Sequence, residues 1–200
     1  MAATLDDCDA AWRLIRERPA ATTPEARLDH VDKVIEILGQ HHDLLEASQV
    51  LAAILHDSVE SGQTTLDEIA QLFGLQAAEA VEHLTEERPR CRRDFMTNAG
   101  WLRLHPEILE VRLAARLESW QRVLRYPDPR DPALAFYRGE YLFFRAGLQT
   151  RSKKFDHSDY WLRLDALFDN LPSVTWRDPD TLRQHWGVGG YPFDTGLPRG

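Results

Sequence analysis

The sequence predicts an all-α fold for this chain of 200 residues. In one segment after another, apolar residues recur three and four positions apart, which places them on one face of a helix. The proline, glycine and capping residues between these segments lie where helices start and stop. The sequence has no useful stretch of the two-residue alternation that marks a half-buried strand, and neither a repeat nor a low-complexity segment. We therefore expect a helical bundle.

Length and composition indicate one globular domain with a core of its own. Hydrophobic residues make up 43% of the chain and charged residues 28%, as in ordinary globular proteins. The formal net charge of -8 disfavours broad binding to nucleic acids or to anionic membrane surfaces. No apolar run approaches the roughly 20 residues that a membrane-spanning helix needs. We therefore expect neither nucleic acid nor a membrane as a partner.

The cysteines and the N-terminal residues predict a cytoplasmic location. Cys8 and Cys91 match neither a disulfide framework nor the ligand spacing of a zinc site, as is typical of a reducing compartment. The first residues of the chain are acidic, and they lack the apolar stretch that a signal peptide requires.

The first two helices are predicted on either side of a proline-containing break. The first spans about residues 7–18, and the second begins after Thr23, which caps a first turn that contains a proline. The second helix ends near Gly39, and His30 lies at the edge of its apolar stripe. A lone histidine in this position is best interpreted as a partly buried helix residue. The stripe consists of Val31, Val34, Ile35 and Leu38.

A strongly apolar helix, predicted from about residue 43 to residue 59, carries two ionisable side chains at its buried end. Five consecutive aliphatic residues, 51–55, precede His56 and Asp57. Ionisable groups that emerge from a buried helix need charged partners or a metal ion. An imidazole nitrogen beside a carboxylate oxygen suits divalent Mn²⁺, Fe²⁺ or Zn²⁺. If the helix continues, Glu60 lies one turn beyond His56 and joins this candidate metal site.

Helices also account for most of the chain up to residue 171. Thr65 and Glu68 form the two ends of a predicted capping box, and Gly74 is a predicted C-terminal cap. The aromatic residues of the late helices are expected to form core rather than a surface that stacks on bases. The later predicted helices span about residues 65–74, 75–85, 95–104, 106–125, 132–148 and 159–171.

Two segments are predicted to lie outside the helices. Residues 86–93 are strongly charged and contain four arginines, and we interpret them as a solvated turn, with an anion-binding role as the alternative. From residue 172 onward, proline, glycine and scattered aromatic residues indicate an irregular tail. The predicted organisation is a helical domain of residues 1–171 followed by an irregular C-terminal tail of residues 172–200.

Six short segments together carry the motifs of one known family. They are LAAILHDSVE at 51–60, TTLDEIAQLFG at 64–74, AVEHLT at 80–85, LAARLES at 113–119, YRGEY at 137–141 and FRAGL at 144–148. The chain resembles the HD-domain (p)ppGpp hydrolases, which are the RelA/SpoT-type 3′-pyrophosphohydrolases, and above all their small single-domain members. The resemblance covers about residues 28–168. It implies a single HD-domain-like helical bundle that acts on a guanosine polyphosphate or another small phosphorylated nucleotide.

The resemblance also implies a metal centre. The family holds one Mn²⁺ with two histidines and two aspartates, and it uses a Glu-Asp pair after the His-Asp pair to handle the attacking water. By position, His30 resembles the first histidine ligand, and His56 and Asp57 resemble the central pair. Glu60 matches the first of the two catalytic carboxylates.

Three positions depart from the family's pattern at the reactive centre. Ala115 stands where the fourth metal ligand is expected, Ser61 where the second catalytic carboxylate is expected, and Ser119 where an asparagine is usual. Because alanine cannot bind a metal, the site is expected to hold its ion with less charge. Glu118 shares a helix face with Ala115. We nevertheless expect Glu118 to stay out of the site, because it would have to displace Ser119 or Trp120.

The segment before His30 is also reduced relative to the family. The basic, tyrosine-bearing stretch that helps to hold the guanine nucleotide is shorter in this chain, and only three arginines remain as candidate contacts for an anion. They are Arg16, Arg18 and Arg27.

The sequence leaves two functions open. In the first, the chain is a metal-dependent phosphohydrolase with weakened or altered activity, in which the two histidines and Asp57 hold the metal and Glu60 orients the water. The joint presence of these residues favours this function, and sites with three protein ligands catalyse hydrolysis in other folds. In the second, the chain is a catalytically inactive relative that serves as a nucleotide-sensing or protein-interaction module, as the substitutions at the reactive centre favour. Neither function predicts an oligomeric state.

Overall fold

Helices form every regular element in the part of the chain that the structure, a computed structural model, describes. That part comprises residues 3–19, 24–85, 92–125, 141, 144–149 and 157–170. The predicted all-α class is therefore confirmed. In chain order the helices are α1 (Leu5–Glu17), α2 (Pro24–Gly39), α3 (Ala47–Leu55), α4 (Leu66–Phe73), α5 (Leu75–Leu84), α6 (Arg92–Leu104), α7 (Pro106–Arg125) and α8 (Ser158–Asn170).

Threonine side chains cap the starts of α1 and α4. At α1, the Asp7 amide donates to the Thr4 hydroxyl over 3.2 Å and the Thr4 amide donates to the Asp7 carboxylate over 2.8 Å. This complete capping box begins the helix two residues earlier than its apolar pattern predicts. At α4, the Glu68 amide donates to the Thr65 hydroxyl over 3.2 Å, as predicted. The Glu68 carboxylate is instead bound by Arg18, so the reciprocal half of the predicted box is replaced by a contact with the end of α1.

Helix α3 is shorter than the predicted span of residues 43–59. It ends at Leu55, because the Ser58 amide and the Ser58 hydroxyl both donate to the Leu55 carbonyl, over 2.9 Å and 2.7 Å. A side-chain hydroxyl that takes a terminal carbonyl in this way competes with continuation of the helix. The chain then follows tight turns to Gly62, whose φ of 74° is a conformation that favours glycine.

The chain divides into two compact units, and the first contains the candidate site. It comprises Met1–Glu87 and His105–Glu118. Helix α3 packs against α1, α2 and α5 in this unit, and α4 packs against α5. The predicted burial of residues 51–55 is confirmed, since each is at most 4% exposed. The apolar core of the first unit includes Ile15, Val31, Leu51, Ile54, Leu55, Ile69 and Val81.

The second unit comprises Arg88–Leu104 and Ser119–Gly200, and aromatic side chains pack in its described part. The Tyr141 ring lies 4.9 Å from the Trp120 ring and 4.8 Å from the Phe168 ring, measured between centroids. The Tyr141 hydroxyl donates to Asp165 over 2.5 Å, and Arg145 donates to the same carboxylate over 2.9 Å and 2.8 Å. Of the aromatic run in the predicted helix 132–148, the structure describes Tyr141 and Phe144, and both are buried, as predicted.

Several predicted segments lie outside the described residues. These are residues 86–91 of the charged stretch, most of the predicted helix 132–148 and the tail from residue 172 onward. The side chains of Arg92 and Arg93 are also outside the description, so an anion-binding role of this stretch stays a prediction. The same holds for the domain boundary at residue 171. Among the described helices, none combines the length and the apolarity that crossing a membrane would require.

Candidate metal centre

Three predicted ligand residues meet in the first unit, although α2 supplies one of them and the end of α3 supplies the other two. His30 Nε2 lies 3.1 Å from His56 Nε2 and 3.4 Å from an Asp57 oxygen. The other Asp57 oxygen lies 3.1 Å from His56 Nε2. Both histidines are 5% exposed, whereas the Asp57 side chain is 43% exposed. The cluster therefore has a buried histidine side and a carboxylate side that solvent can reach.

The second nitrogen of each histidine ring is held by an acceptor. His56 Nδ1 donates to the Ala53 carbonyl over 2.7 Å, within the last turn of α3. His30 Nδ1 donates to the buried carboxylate of Glu118 on α7. Histidine ligands in metal sites are typically oriented in this way, by a carboxylate or a backbone carbonyl on the far ring nitrogen. Both Nε2 atoms are therefore directed into the cluster.

The charges of the cluster follow from these contacts. Burial alone would lower the pKa of His30, but hydrogen bonds with Asp57 and Glu118 outweigh it and raise that pKa to about 9. Burial and the neighbouring charge of His30 lower the pKa of His56. Burial would raise the pKa of Asp57, yet the two histidines hold it well below its usual range. These pKa shifts favour the protonated form of His30, the neutral form of His56 and the ionised form of Asp57.

This donor set fits a divalent metal ion. Ligand atoms about 2.1 Å from one metal ion lie about 3.0–3.4 Å from each other. The two Nε2 atoms lie 3.1 Å apart, and each lies 3.1–3.4 Å from one or the other oxygen of Asp57. One ligand atom from each of the three residues lies within 4.8 Å of the others. Two imidazole nitrogens and one carboxylate oxygen are also a donor set that Mn²⁺, Fe²⁺ and Zn²⁺ accept. Within the described residues, this is the group of histidines and carboxylates that could hold a metal ion.

Glu118 stays out of the ligand positions, as expected, but its carboxylate contacts the His30 ring nitrogen that faces away from the cluster. Its carboxylate does not replace the missing ligand at Ala115, because it binds the Nδ1 atom of His30 on the far side of the ring. The partner that accommodates the side chain lies on α2, 88 residues away in sequence.

Glu60, the predicted catalytic residue, and Ser61, at the position of the missing second carboxylate, lie in the turns after α3. Glu60 is exposed, and it lies four residues beyond His56 in a segment of turns rather than on the continued helix. Ser61, at the position of the second carboxylate, donates to the Ser58 carbonyl over 3.3 Å and to Gln63 over 3.1 Å. A role of Glu60 in handling water stays a prediction.

The arginines predicted to contact an anion are mainly used within the protein. Arg18 forms a two-point ion pair with Glu68 and also donates to the Gln63 carbonyl over 2.9 Å. Arg27 is buried and donates to the Ile15 carbonyl over 2.5 Å. The guanidinium of Arg16 lies over the Trp12 ring, 5.2 Å from its centroid.

A different arginine, Arg112 on α7, acts on the cluster. Its positive charge contributes to the low pKa values of His56 and Asp57, after the larger effects of burial and of the other cluster residues. One guanidinium nitrogen donates to the Leu84 carbonyl over 2.7 Å. The sequence signal for Arg112 is its spacing from Ala115 and Glu118. Each of these residues lies three positions from the next, so neighbouring members of the series are adjacent on the helix surface.

Parts of this chain match known proteins. The family model of the HD domain matches residues 8–92. The guanosine-3′,5′-bis(diphosphate) 3′-pyrophosphohydrolase MESH1 of Danio rerio is 30% identical over 69 residues, which is 34% of this chain and 38% of the relative. The Homo sapiens enzyme of the same name is 36% identical over 61 residues, 30% of this chain and 34% of the relative. The chain thus spans little more than a third of the length of the curated relatives it matches.

Proposed function

We propose that this chain, whose residues 8–92 belong to the HD domain family, is a metal-dependent phosphohydrolase of reduced or altered activity. The observation that supports the proposal is the convergence of three ligand atoms: two Nε2 atoms, of His30 and His56, and the carboxylate of Asp57. The two buried imidazoles direct their Nε2 atoms at one another over 3.1 Å, and a shared metal ion would account for this arrangement.

The ligand set assigns each residue a task. His30 and His56 supply nitrogen atoms and Asp57 supplies the oxygen that faces solvent, where a substrate can enter. A bound divalent metal would lower the pKa of a water molecule and neutralise charge on a phosphate. We propose Mn²⁺ because the mixed nitrogen and oxygen set suits it. Glu60, exposed beyond the cluster, takes the proton of the attacking water as a general base.

The proposed substrate is a guanosine polyphosphate or another small phosphorylated nucleotide. Two relatives with matching segments are named as 3′-pyrophosphohydrolases of guanosine-3′,5′-bis(diphosphate). In such a reaction, water attacks the phosphorus bonded to the 3′ oxygen, the bond between them breaks, and pyrophosphate leaves while the 3′ oxygen takes a proton. Arg112, whose charge acts on the cluster, is placed to offset the negative charge of the phosphates. A cytoplasmic location is part of the same proposal.

A second candidate function is a binding module without turnover. Ala115 and Ser61 support it, because they remove two carboxylates from the reactive centre. A lost acid-base group alone typically slows a reaction by about 10²–10⁴-fold. In this case the cluster would hold a metal and a phosphorylated nucleotide, and the chain would respond to the nucleotide rather than hydrolyse it.

Metal content tests the proposal directly. The protein is incubated with Mn²⁺, freed of excess ion on a desalting column, and analysed by mass spectrometry of the metal. We expect close to one Mn²⁺ per chain in the wild type, and little in His56→Ala. His42→Ala is the matched control, since His42 pairs with Glu110 in the same unit but lies outside the cluster. A wild type without metal would show that the proposed function is wrong.

Turnover then separates the two candidate functions. Wild-type protein with Mn²⁺ is incubated with ppGpp, and released pyrophosphate is measured over hours. Release that depends on Mn²⁺ and is lost in His56→Ala supports hydrolysis. Metal binding together with ppGpp binding but without release supports the binding module.

A further inference from the structure

We infer that Glu118 is a positioning residue of the metal centre. Its carboxylate, on the His30 nitrogen that faces away from the metal, supplies negative charge that an aspartate at position 115 would otherwise supply as a ligand. The inference rests on the proposed metal-binding function. It concerns a residue of this chain that lies outside the family's ligand positions as the sequence resemblance gives them.

The first support is the location of the Glu118 carboxylate. The residue is 3% exposed and its carboxylate contacts His30 Nδ1, while His30 Nε2 faces His56 and Asp57. Burying a carboxylate is costly unless a charged or hydrogen-bonding partner compensates for the lost water. The ring of His30 is such a partner, and it connects Glu118 to the cluster through one imidazole.

The second support is the comparison of the two histidines. The far nitrogen of His56 is held by a neutral backbone carbonyl, that of Ala53, whereas the far nitrogen of His30 is held by a carboxylate. A carboxylate on the far nitrogen fixes the ring orientation and makes the facing nitrogen a stronger ligand. Through His30, the Glu118 carboxylate can therefore replace part of the negative charge of the missing aspartate.

The third support is the position of Glu118 on α7. Ala115 is where the resemblance places the fourth ligand, and Glu118 follows one helical turn later on the same side. A divalent ion, the Asp57 carboxylate and the Glu118 carboxylate together sum to neutrality. With a ligating aspartate in place of Ala115, Glu118 would add a further negative charge, so the two carboxylates are alternatives.

A double-mutant cycle on Mn²⁺ affinity tests this inference. Dissociation constants are measured by isothermal titration calorimetry for the wild type, Glu118→Gln, Ala115→Asp and the double variant. We expect Glu118→Gln to weaken binding by about 10-fold to 100-fold, the usual effect of removing a group that orients a ligand. In the Ala115→Asp background, the same change is expected to weaken binding much less, because the aspartate then supplies the charge.

Glu110→Gln is the matched control. Glu110 is also a buried glutamate of α7, at 1% exposure, and it pairs with a histidine, His42, over 2.8 Å. A merely structural role would lower the thermal midpoint of the metal-free protein in both Gln variants and leave both dissociation constants unchanged. That result would overturn the inference. Glu118→Asp, which keeps the charge, should bind Mn²⁺ with an affinity between those of the wild type and Glu118→Gln.

The remaining outcomes are also decisive. Equal losses from Glu118→Gln in the wild-type background and in the Ala115→Asp background would overturn the idea that the two carboxylates are alternatives. If Glu118→Gln does not fold, a Glu118→Asp variant that folds but binds no Mn²⁺ would overturn the role of the charge. A wild type without measurable Mn²⁺ binding would refute the proposed function itself, and a weakened Glu118→Gln beside a binding wild type would leave that function intact.

Discussion

At the scale of single residues, the cluster is arranged by what each histidine binds on its far nitrogen. His56 uses a carbonyl of its own helix, and His30 uses a carboxylate from α7. Asp57 then lies within 3.4 Å of both facing nitrogens. Small changes in any of these contacts therefore alter ligand geometry before they alter the fold.

Restoring the two missing carboxylates should restore catalysis. In Ala115→Asp with Ser61→Asp, we expect Mn²⁺-dependent release of pyrophosphate from ppGpp to rise by at least about 100-fold, because one acid-base group is typically worth that much. Pyrophosphate is measured with an enzyme-coupled assay, and the same double variant carrying His56→Ala is the control. No gain would indicate that the chain does not hold the nucleotide.

The convergence of His30, His56 and Asp57 was predictable from sequence, whereas the contact of Glu118 was not. An aliphatic run that ends in His-Asp can be interpreted from the sequence alone, because a buried charged group needs a partner or a metal ion. The resemblance then added His30. The contact between Glu118 and His30 joins residues 88 positions apart, and spacing within one helix carries no information about such a contact.

At the scale of elements, α3 is the central helix of the first unit. Its apolar residues form the core, and the two ligands follow its last turn. The sequence located this helix but placed its end four residues late. An apolar pattern does not reveal that the Ser58 hydroxyl takes the carbonyl of Leu55, a contact that follows from side-chain geometry after the turn has formed.

Ile54→Ala tests the role of α3 in stability. Ile54 is 1% exposed, and removing a buried isoleucine side chain to alanine typically costs about 2–5 kcal/mol. We expect a loss of that size in the free energy of unfolding, measured by urea denaturation. Leu44→Ala, at a residue that is 87% exposed, should change it by less than about 0.5 kcal/mol. Equal effects of the two variants would contradict a central position of α3.

The ion pair between Arg18 and Glu68 connects the end of α1 to α4, and its contribution should depend on pH. Hydrogen bonds from Arg18 and Thr64 lower the Glu68 pKa from 4.5 to about 2. Because the folded state has the lower pKa, the stabilisation is complete above the unfolded value of 4.5 and is lost as pH falls toward about 2.

Glu68→Gln is therefore expected to be less stable than the wild type at pH 7, with a difference that shrinks between pH 4.5 and pH 2. Thermal unfolding at several pH values measures this. Arg18→Met is the companion variant and should show a similar loss at pH 7. A difference that stays constant down to pH 2 would rule out the ion pair as its cause.

At the scale of the whole molecule, metal binding should stabilise the fold. A ligand that binds only the folded state at 100 times its dissociation constant adds about 2.7 kcal/mol. We expect Mn²⁺ to raise the thermal midpoint of the wild type and EDTA to reverse the rise. His30→Ala should show no rise, and an equal rise in this variant would point to ion binding elsewhere.

The unit that contains the cluster and the net charge of the whole chain both bear on nucleotide binding. The first unit contains every residue of the cluster and the turns that carry Glu60. With a net charge of -8, the chain as a whole repels a polyphosphate, so binding of one depends on local cations such as Arg112 and the metal itself. The composition predicts this repulsion of a polyphosphate, and the structure shows that the positive charge of Arg112 acts on the cluster.

The different anchors of the two histidines also imply an order in time. The anchor of His56 is three residues away, so its ring is oriented as soon as the last turn of α3 forms. The anchor of His30 is 88 residues away, and a contact across such a loop forms late because closing the loop costs entropy before any contact compensates. If the cluster binds its ion as proposed, full metal affinity is therefore expected only after Glu118 of α7 has reached His30 of α2.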